Sequence, residues 1–397
     1  MLKSRFIFPL IPRVRVNYNF AQILRALFIS ERKDKYRLRL IFMLSEFFGT
    51  KNIYLTSSGR GGLFWLLKSL PQTKVIIPAY TCSVVAEAVL IAGKKLIFAP
   101  TSDATFNTDY FDGIDSDTIV IATHQYGFPC DIEAIAQTCV QKGTILIEDC
   151  AGAFGTKING RLAGSFGDYS FFSFDSSKLL NCPSKGGFII AKDNNDFNSF
   201  VQKSSTIQNN IGYKLKHLAR GAIYCLLKNK VVYRCFQYLT MGRKGNPQLP
   251  GHEKLNLELG DFYQYGFYEW QAYFIVKQLT KINDIVTKRK HIFEYYNKEI
   301  NNDLIVKPQT LPHACCIRYP ILVKNKYVFY NQCLRLGVDF GFSFDHIASP
   351  ENWTIEHEIA SCILNVPFYY NLTEHELQHI VQVLNALQPQ KSKYTTP

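Results

Sequence analysis

The sequence lacks the features that mark several classes of protein. No window holds 18 uncharged apolar residues, so no membrane-spanning helix is predicted. The opening stretch MLKSRFIFPLIPRVRV has a short apolar run, broken by Pro9 and Pro12, and no small-residue cleavage site, so no signal peptide is predicted. The eleven cysteines form no C-x-x-C pair. We therefore expect no metal site, no disulfide framework, and free thiols in a reducing cytoplasm.

Acidic residues are scarce in two segments. Residues 1–40 hold ten Lys and Arg against two acids, and residues 201–254 hold ten against one, within a net charge of +13. Such basic blocks favour an anionic partner, either an acidic membrane surface or a nucleotide or lipid diphosphate. No nucleic-acid-binding module pattern occurs, so we expect no nucleic-acid partner. The alternative is that the two blocks are solvated helix faces.

From about residue 53 the pattern alternates short β-like runs with helical ones. Strands are predicted at 74–77, 95–99, 118–123, 144–147, 169–174 and 187–191, with helices such as 61–69, 82–91 and 131–141 between them. This alternation is typical of an α/β fold with a mainly parallel central sheet. The carboxyl ends of such strands form the usual ligand site.

The chain divides into three predicted regions. Residues 1–50 are a basic N-terminal segment, and residues 51–255 form the large α/β domain. That domain carries a basic insertion at 201–254, where Tyr213 to Leu239 predicts one or two amphipathic helices with an apolar stripe at Leu215, Leu218, Ala222 and Leu226. Residues 256–397 begin with a long helix around 266–296 and continue as a smaller α+β domain. Its last helix opens at a capping box, Thr373 with Glu376.

Two residues match the needs of pyridoxal phosphate (PLP) chemistry. Asp149 ends one predicted strand, and Lys178 lies in the turn after another. A lysine amine can form a Schiff base with the cofactor aldehyde, and an aspartate can keep the pyridine nitrogen protonated. Lysine suits this role because its pKa falls when the amine is buried. Taken alone, the same pair also fits a capping aspartate and a surface lysine.

The turn at 56–63, TSSGRGGL, predicts a phosphate site. Ser58 and Gly59 lie at the start of a helix, where free N–H groups and the helix dipole attract an anion. Arg60 adds a positive charge, and Ser173 offers a hydroxyl five residues before Lys178. Serine and glycine also cap many helices that bind nothing.

Six ordered blocks together resemble the DegT/DnrJ/StrS-type sugar aminotransferases, which are PLP enzymes of fold type I. The blocks are SSG at 57–59, VIIPAYTCSVVAEAVLIAGKKLIFA at 75–99, HQYGFPCDIEAI at 124–135, IEDCAGAFG at 147–155, NGRLAGSFGDYSFFSFDSSKLL at 159–180 and VPFYYNLTEHELQHIVQVL at 366–384. The resemblance implies fold type I, with a smaller C-terminal α+β domain.

The resemblance also implies residue roles and a reaction. Lys178 would be the Schiff-base lysine and general acid/base, and Asp149 the partner of the pyridinium. Ser173, Ser58 and Gly59 would surround the phosphate. The reaction would transfer an amino group from an amino acid such as glutamate to a keto group on a nucleotide-linked sugar, in surface-polysaccharide or related biosynthesis. The family further implies a homodimer.

The chain departs from the family pattern at several positions. Cys82 stands where an aromatic residue usually stacks on the cofactor ring, and Gly152 stands where Gln or His is frequent. Gln264 replaces the asparagine that reaches the partner subunit's phosphate, and Gly266 replaces an arginine. We expect Cys82 and Gly152 to border the cofactor and Gly152 to widen its surroundings.

Several alternatives stay open from the sequence. His124 is equally compatible with an active-site base and with a structural histidine. A PLP enzyme of the same fold with dehydratase or decarboxylase chemistry is another reading, although the retained Lys178 argues against the dehydratase branch. The third is a degenerate family member with a non-aminotransferase or membrane-associated binding role. A cytoplasmic location is expected, with peripheral contact at the inner membrane face if the basic blocks bind acidic lipid.

Overall fold

A mainly parallel sheet forms the centre of the large domain. The computed structural model describes residues 9–102, 105–192, 210–241, 251–252, 255–260, 263, 266–309 and 314–388. The described strands are β1 Ile53–Thr56, β2 Lys74–Pro78, β3 Lys95–Ala99, β4 Thr118–Thr123, β5 Ile145–Asp149, β6 Lys157–Ile158, β7 Arg161–Leu162, β8 Tyr169–Ser173, β9 Gly187–Ala191, β10 Gly251–His252, β11 Tyr319–Leu322, β12 His346–Ile347 and β13 Ile363–Val366. Seven of them form one sheet in the order β1-β9-β8-β5-β4-β2-β3.

Strand direction in this sheet is interrupted once. β8, β5, β4, β2 and β3 pair in parallel, whereas β9 is antiparallel to both of its neighbours, β8 and β1. The parallel strands therefore end at one edge of the sheet, which collects the segments that follow them. The predicted α/β class with a mainly parallel sheet is confirmed.

Helices cover both faces of the sheet. The described helices are α1 Phe20–Leu27, α2 Lys35–Phe48, α3 Gly59–Ser69, α4 Ser83–Ile91, α5 Ile132–Lys142, α6 Ile211–Leu226, α7 Lys230–Met241, α8 Glu269–Leu279, α9 Ile282–Glu299, α10 Lys326–Arg335, α11 Thr354–Cys362 and α12 Glu374–Ala386, with a short 3-10 turn at Gln125–Gly127. In β4, Ile119 and Ile121 pack with α3 and α4, while Val120 and Ala122 pack with α5. Because both faces are buried, these strands are apolar throughout instead of alternating.

The smaller domain has its own core. β11 pairs with β13 in antiparallel fashion, and residues of α9, α10, α11 and α12 pack around this pair. Thr373 and Glu376 cap α12 reciprocally, which confirms the predicted capping box. The N-terminal segment reaches this domain, because Ile11 bridges to Val338. None of the helices in the described part of the chain is long and apolar enough to cross a membrane.

The predicted long helix at 266–296 is wrong, because the chain turns at Thr280–Lys281 and forms α8 and α9 instead. Leu279 and Ile282 on either side of the turn both belong to the core under the large sheet. Farther along α9, Phe293 and Tyr296 belong to the core of the smaller domain. A straight helix would have to pack into both cores. The turn instead redirects the chain from the first core to the second. β1 was not predicted as a separate strand.

The basic insertion forms two helices, α6 and α7, and lies beside the N-terminal basic segment. Lys214 donates from Nζ to the carbonyls of Leu27 and Ile29, so the two blocks are neighbours. The predicted apolar stripe is divided. Leu218 is buried at 2% exposure, whereas Leu215 and Leu226 are exposed at 50% and 56%.

Candidate active site

A cavity of about 230 Å³ lies at the edge where the parallel strands end. Its walls are the segments after β1, β2, β4, β5 and β8, together with residues of the smaller domain. Eight of the nine predicted site residues line it: Ser58, Gly59, Arg60, Cys82, Asp149, Gly152, Ser173 and Lys178. The ninth, Gln264, lies outside the described residues. Residues spread over more than a hundred positions of sequence thus meet in one place.

Lys178 lies in the turn that follows β8. Its backbone N–H donates to the carbonyl of Asp175 at 2.9 Å, which closes the turn. Burial is the largest influence on the amine and lowers its pKa, while Asp149 opposes the shift. An amine with a lowered pKa is more often neutral near pH 7, which is the form that attacks a carbonyl or accepts a proton.

Asp149 ends β5 directly opposite Thr123 of β4. Its carboxylate is 5% exposed and accepts a hydrogen bond from the Ala151 N–H at 2.9 Å. Burial raises the pKa of Asp149, whereas the Ala151 bond and the Lys178 amine lower it. A cationic ligand atom placed against this buried carboxylate would stabilise its charged form.

The start of α3 and the end of β8 touch each other. A β-carbon built on Gly59 would lie 3.2 Å from the Phe172 carbonyl oxygen and 3.2 Å from the Ser173 β-carbon. Any side chain at Gly59 would therefore push these two segments apart. Ser58 caps α3 by accepting from the Gly61 N–H at 3.0 Å. The helix N-terminus and the hydroxyls of Ser58 and Ser173 form a small, polar, positive end of the cavity that suits a phosphate.

Two further cations line the cavity near this end. Arg60 forms an ion pair with Glu87 at 3.2 Å, so its charge is shared with a protein carboxylate. Lys185 also lines the cavity, and burial followed by the proximity of Arg60 lowers its pKa. Two lysines with lowered pKa values, Lys178 and Lys185, therefore face the same space.

Two of the departures from the family pattern, Cys82 and Gly152, lie on the wall of the cavity. Cys82 precedes α4 and lines the cavity, and burial raises the pKa of its thiol. A β-carbon built on Gly152 would lie 3.4 Å from Cδ1 of Ile317 and 3.3 Å from the Gly127 nitrogen. Ile317 therefore occupies part of the space that the absence of a side chain at Gly152 was expected to leave open.

His124 is held by hydrogen bonds on both ring nitrogens. Nε2 lies 3.1 Å from the Glu148 carboxylate, and Nδ1 lies 3.3 Å from the Cys130 N–H that donates to it. Glu148 also accepts from the N–H groups of Gly164, Phe166 and Gly167. The spacing of His124, Glu148 and Cys150 would suit a metal ion, but the carboxylate is already fully used. The geometry favours the structural reading of His124.

Three buried polar atoms on the cavity wall were missed from the sequence. Thr81 Oγ1, Thr123 Oγ1 and Gln125 Nε2 have no hydrogen-bond partner among the described residues. Buried polar groups without partners are costly, so these atoms indicate a polar ligand in the cavity. Their position at or just after the end of β2 or β4 was the signal that could have found them. Together with the phosphate-sized end, they fit a compact polar ring that carries a phosphate.

The sheet order with one reversed strand, the lysine in the turn after β8 and the buried aspartate at the end of β5 define a PLP-dependent enzyme of fold type I. The sequence model of the DegT/DnrJ/EryC1/StrS aminotransferase family matches residues 20–385 of this chain. The chain therefore belongs to that family. The resemblance found in the sequence is confirmed, as are PLP as cofactor and aminotransferase as the enzyme class.

Named relatives act on sugars linked to nucleotides. The chain is 25% identical over 343 residues to a UDP-N-acetyl-3-dehydro-alpha-D-glucosamine 3-aminotransferase of Acidithiobacillus ferrooxidans, covering 83% of this chain and 82% of the relative. It is 32% identical over 166 residues to a GDP-perosamine synthase of Vibrio cholerae, covering 40% and 45% of the two chains. A putative sugar aminotransferase of Streptococcus pneumoniae in its PMP form shares the fold, with a TM-score of 0.70 and 16% identity over 95% of this chain and 97% of that one.

Proposed function

We propose that the protein transfers an amino group from an amino acid such as glutamate to a keto group of a nucleotide-linked sugar, in surface-polysaccharide or related biosynthesis. The observation that carries this proposal is the convergence of Lys178, Asp149 and the Ser58–Ser173 phosphate end in one cavity. The substrates named for the relatives support the sugar class. Lys178 and Asp149 both line the cavity, which argues against a degenerate binding protein.

Each predicted site residue has a role in this proposal. Lys178 would hold PLP and Asp149 would face its pyridine nitrogen, while Ser58, Gly59 and Ser173 would surround its phosphate. We propose that the remaining residues complete the phosphate end and the walls around the ring. These residues are Arg60, Cys82, Gly152 and Gln264. PLP supplies an electron sink when bound. Lys178 moves a proton between donor and acceptor atoms, and burial lowers the pKa of its amine, which increases the neutral fraction that can accept a proton.

A homodimer is part of the same proposal. In the family pattern a residue at the position of Gln264 approaches the phosphate in the partner subunit, so a single chain would lack one phosphate ligand. Light scattering on the purified protein should give the mass of two chains. A monomer that still binds the cofactor would contradict this part of the proposal.

Peripheral contact with an acidic membrane is the second proposal for the basic segments. Leu215 and Leu226 on α6 and Phe28, which directly follows α1, are exposed apolar residues within the two basic segments. Each Lys or Arg near an anionic surface contributes about 1 kcal/mol, and exposed apolar side chains add burial. Several cations are already used inside the protein, among them Lys214, which limits the charge available.

Flotation with vesicles of acidic lipid at low and high salt tests the membrane proposal. We expect salt-sensitive binding that weakens in Lys216→Glu on α6, with Lys288→Glu on α9 as the control. No binding at low salt would remove the membrane proposal and leave the aminotransferase proposal intact.

The amination proposal is tested by supplying L-glutamate with a UDP-linked 3-dehydro sugar or a dTDP-linked 4-dehydro sugar. Mass spectrometry should detect an amino sugar nucleotide and 2-oxoglutarate. The yellow absorbance of bound PLP should be present beforehand. A colourless protein that binds neither PLP nor amino donor would favour the degenerate binding protein instead.

A further inference from the structure

One buried amide on the wall of the active-site cavity is not used by the protein itself. The side chain of Gln125 lines the cavity, and the residue is only 3% exposed. Its Nε2 has no hydrogen-bond partner among the described residues. A buried amide nitrogen that donates no hydrogen bond is unfavourable for the folded protein. The amide is therefore available to a ligand in the cavity that offers an acceptor atom.

The neighbouring Tyr126 hydroxyl does not satisfy this amide. Burial raises the pKa of Tyr126 to about 12, and Gln125 is one of the groups that counteract the shift, so the two side chains are close. The hydroxyl, however, donates to the Ser343 carbonyl at 2.8 Å, lies 2.7 Å from the Tyr80 hydroxyl and accepts from the Phe344 N–H at 3.2 Å. A tyrosine hydroxyl has one donor and two acceptor positions, and other groups fill them here.

Gln125 borders the position at which this chain lacks a side chain that the family pattern often has. Gly152 stands where Gln or His is frequent, and both of those side chains can donate a hydrogen bond. A β-carbon built on Gly152 would lie 3.5 Å from the carbonyl carbon of Tyr126, the residue that follows Gln125. The two positions therefore belong to the same part of the cavity wall. In this chain Gln125 supplies an amide there and residue 152 does not.

The sheet order determines on which side of Asp149 this amide lies. The central strands are neighbours in the order β8-β5-β4, and β1 lies beyond β8. The phosphate end is formed by Gly59, in the segment after β1, and by Ser173 at the end of β8. Asp149 ends β5, and Gln125 follows β4. Gln125 and the phosphate end therefore lie on opposite sides of Asp149.

The covalent structure of PLP directs its ring hydroxyl to the side on which Gln125 lies. The ring carbon that carries the aldehyde is opposite the ring nitrogen, and its two neighbours carry the hydroxyl and the phosphate arm. With the nitrogen at Asp149 and the aldehyde at Lys178, the hydroxyl points away from the phosphate end. That direction is towards β4 and Gln125. A hydroxyl on a cationic pyridine ring ionises readily, so its oxygen is a strong hydrogen-bond acceptor.

The other described donors at this end of β4 are engaged or lie elsewhere. The ring nitrogens of His124 are held by Glu148 and by the Cys130 N–H. Thr123 pairs with Asp149 across the sheet and so lies beside the position of the ring nitrogen. Gln125 is two residues farther along the chain, beyond the end of the strand. It is the donor whose place matches the hydroxyl.

We propose that the Gln125 amide donates a hydrogen bond to the ring hydroxyl oxygen of PLP, on the side where Gly152 offers no side chain. This inference rests on the proposed function, because it uses the places assigned there to Lys178, Asp149 and the phosphate. Gln125 is thus a cofactor-binding residue particular to this chain. It has no part in the attachment of the cofactor to a lysine.

Calorimetry with pyridoxamine phosphate and the cofactor-free protein tests this contact. The compound has an amine in place of the aldehyde, so it forms no bond with a lysine. Gln125→Leu should raise its Kd about 10- to 100-fold, the range expected for losing a hydrogen bond to a charged group. Gln125→Glu keeps the size of the side chain but adds a negative charge, so it should raise the Kd at least as much. Gln137→Leu, at an exposed position on α5, is the matched control and should behave as wild type.

A second ligand separates the contact from general damage to the site. The deoxy analogue of pyridoxamine phosphate lacks the ring hydroxyl, and wild type should bind it about 10- to 100-fold more weakly. Gln125→Leu should bind the two compounds with nearly equal affinity, because the partner of the hydroxyl is already missing. The comparison in wild type alone remains decisive if a variant does not fold. Equal affinity of wild type for both compounds would overturn the proposal.

Urea denaturation of the cofactor-free proteins gives an independent result. Gln125→Leu should be at least as stable as wild type, because it removes a buried amide nitrogen that has no partner. A clear loss of stability would show that the protein itself uses the amide and would contradict the proposal.

Binding of pyridoxamine phosphate involves neither an amino donor nor a sugar, so failure to aminate a sugar would leave the result valid. The proposal is wrong if wild type does not bind this compound or if Gln125→Leu binds it as tightly as wild type. It is also wrong if removal of the hydroxyl weakens binding to wild type and to Gln125→Leu by the same factor.

Discussion

The Asp149 carboxylate and the Lys178 amine interact electrostatically within one cavity, and each counteracts the effect of burial on the other's pKa. Their proximity follows from the sheet, because Asp149 at the end of β5 pairs with Phe171 of the parallel strand β8, and Lys178 lies in the turn that follows β8. A buried acid and a buried amine with opposing pKa shifts are typical of catalytic sites.

Asp149→Asn should fold and should lose most of its transamination activity. Asparagine cannot balance the charge of a protonated pyridine nitrogen, and each lost unit in the pKa of that nitrogen corresponds to about 1.4 kcal/mol. Steady-state rates with saturating donor measure the effect. Asp131→Asn, at the exposed N-cap of α5, is the control because asparagine also caps helices well. Wild-type turnover in Asp149→Asn would reduce Asp149 to a structural residue.

The stability of the cofactor-free protein should depend on pH through Lys178. Its folded-state pKa is lowered from 10.5, so between that lowered value and 10.5 the unfolded chain binds a proton that the folded protein lacks. Stability due to this group therefore rises with pH through that window and is lowest below the folded pKa. Lys178→Met removes the group.

We expect Lys178→Met to gain stability relative to wild type as the pH falls from 10.5, with a constant difference below the folded pKa. Urea denaturation of both cofactor-free proteins from neutral to alkaline pH measures this, with Lys288→Met as the exposed control. A difference that is independent of pH would show that the Lys178 amine is not desolvated.

Glu148→Gln should destabilise the protein without a direct effect on chemistry. The Glu148 carboxylate accepts from three backbone N–H groups and lies against His124, so the amide NH₂ of glutamine would face donors. Each unsatisfied buried group costs about 1–3 kcal/mol, and urea denaturation should show a loss in this range or above. Glu358→Gln, at an exposed position of α11, is the control. Unchanged stability would reopen a catalytic role for His124 and Glu148.

The sequence allowed the large domain and most of the site to be predicted, for a local reason. Asp149 ends one predicted strand and Lys178 lies in the turn after another, and in a parallel sheet such positions meet at one edge. The strands 95–99, 118–123 and 187–191 were predicted with their observed bounds. Each is a short, mainly apolar run that is bounded by turn residues.

The parts that could not be predicted depend on contacts distant in sequence. Arg318 lines the active-site cavity with Lys178, but it belongs to the smaller domain and its distance in sequence gives no sign of this proximity. Arg13 and Arg15 were counted as part of a basic block, yet their pairing with Asp339 and Glu376 spans most of the chain. The apolar pattern of 266–296 runs on without a break, although its first part packs into one core and its last part into another. The turn between α8 and α9 is therefore not visible in the pattern.

The identity of the lysine that binds PLP tests the account most directly. Lys178 and Lys185 both line the cavity and both have lowered pKa values, so the pKa alone does not separate them. Their charged neighbours do, since Asp149 acts on Lys178 whereas Arg60, at the phosphate end, acts on Lys185. Borohydride reduction of the holoenzyme followed by peptide mapping should place the pyridoxyl adduct on Lys178, and Lys185→Met should retain it. An adduct on Lys185, or on no lysine, would contradict the account.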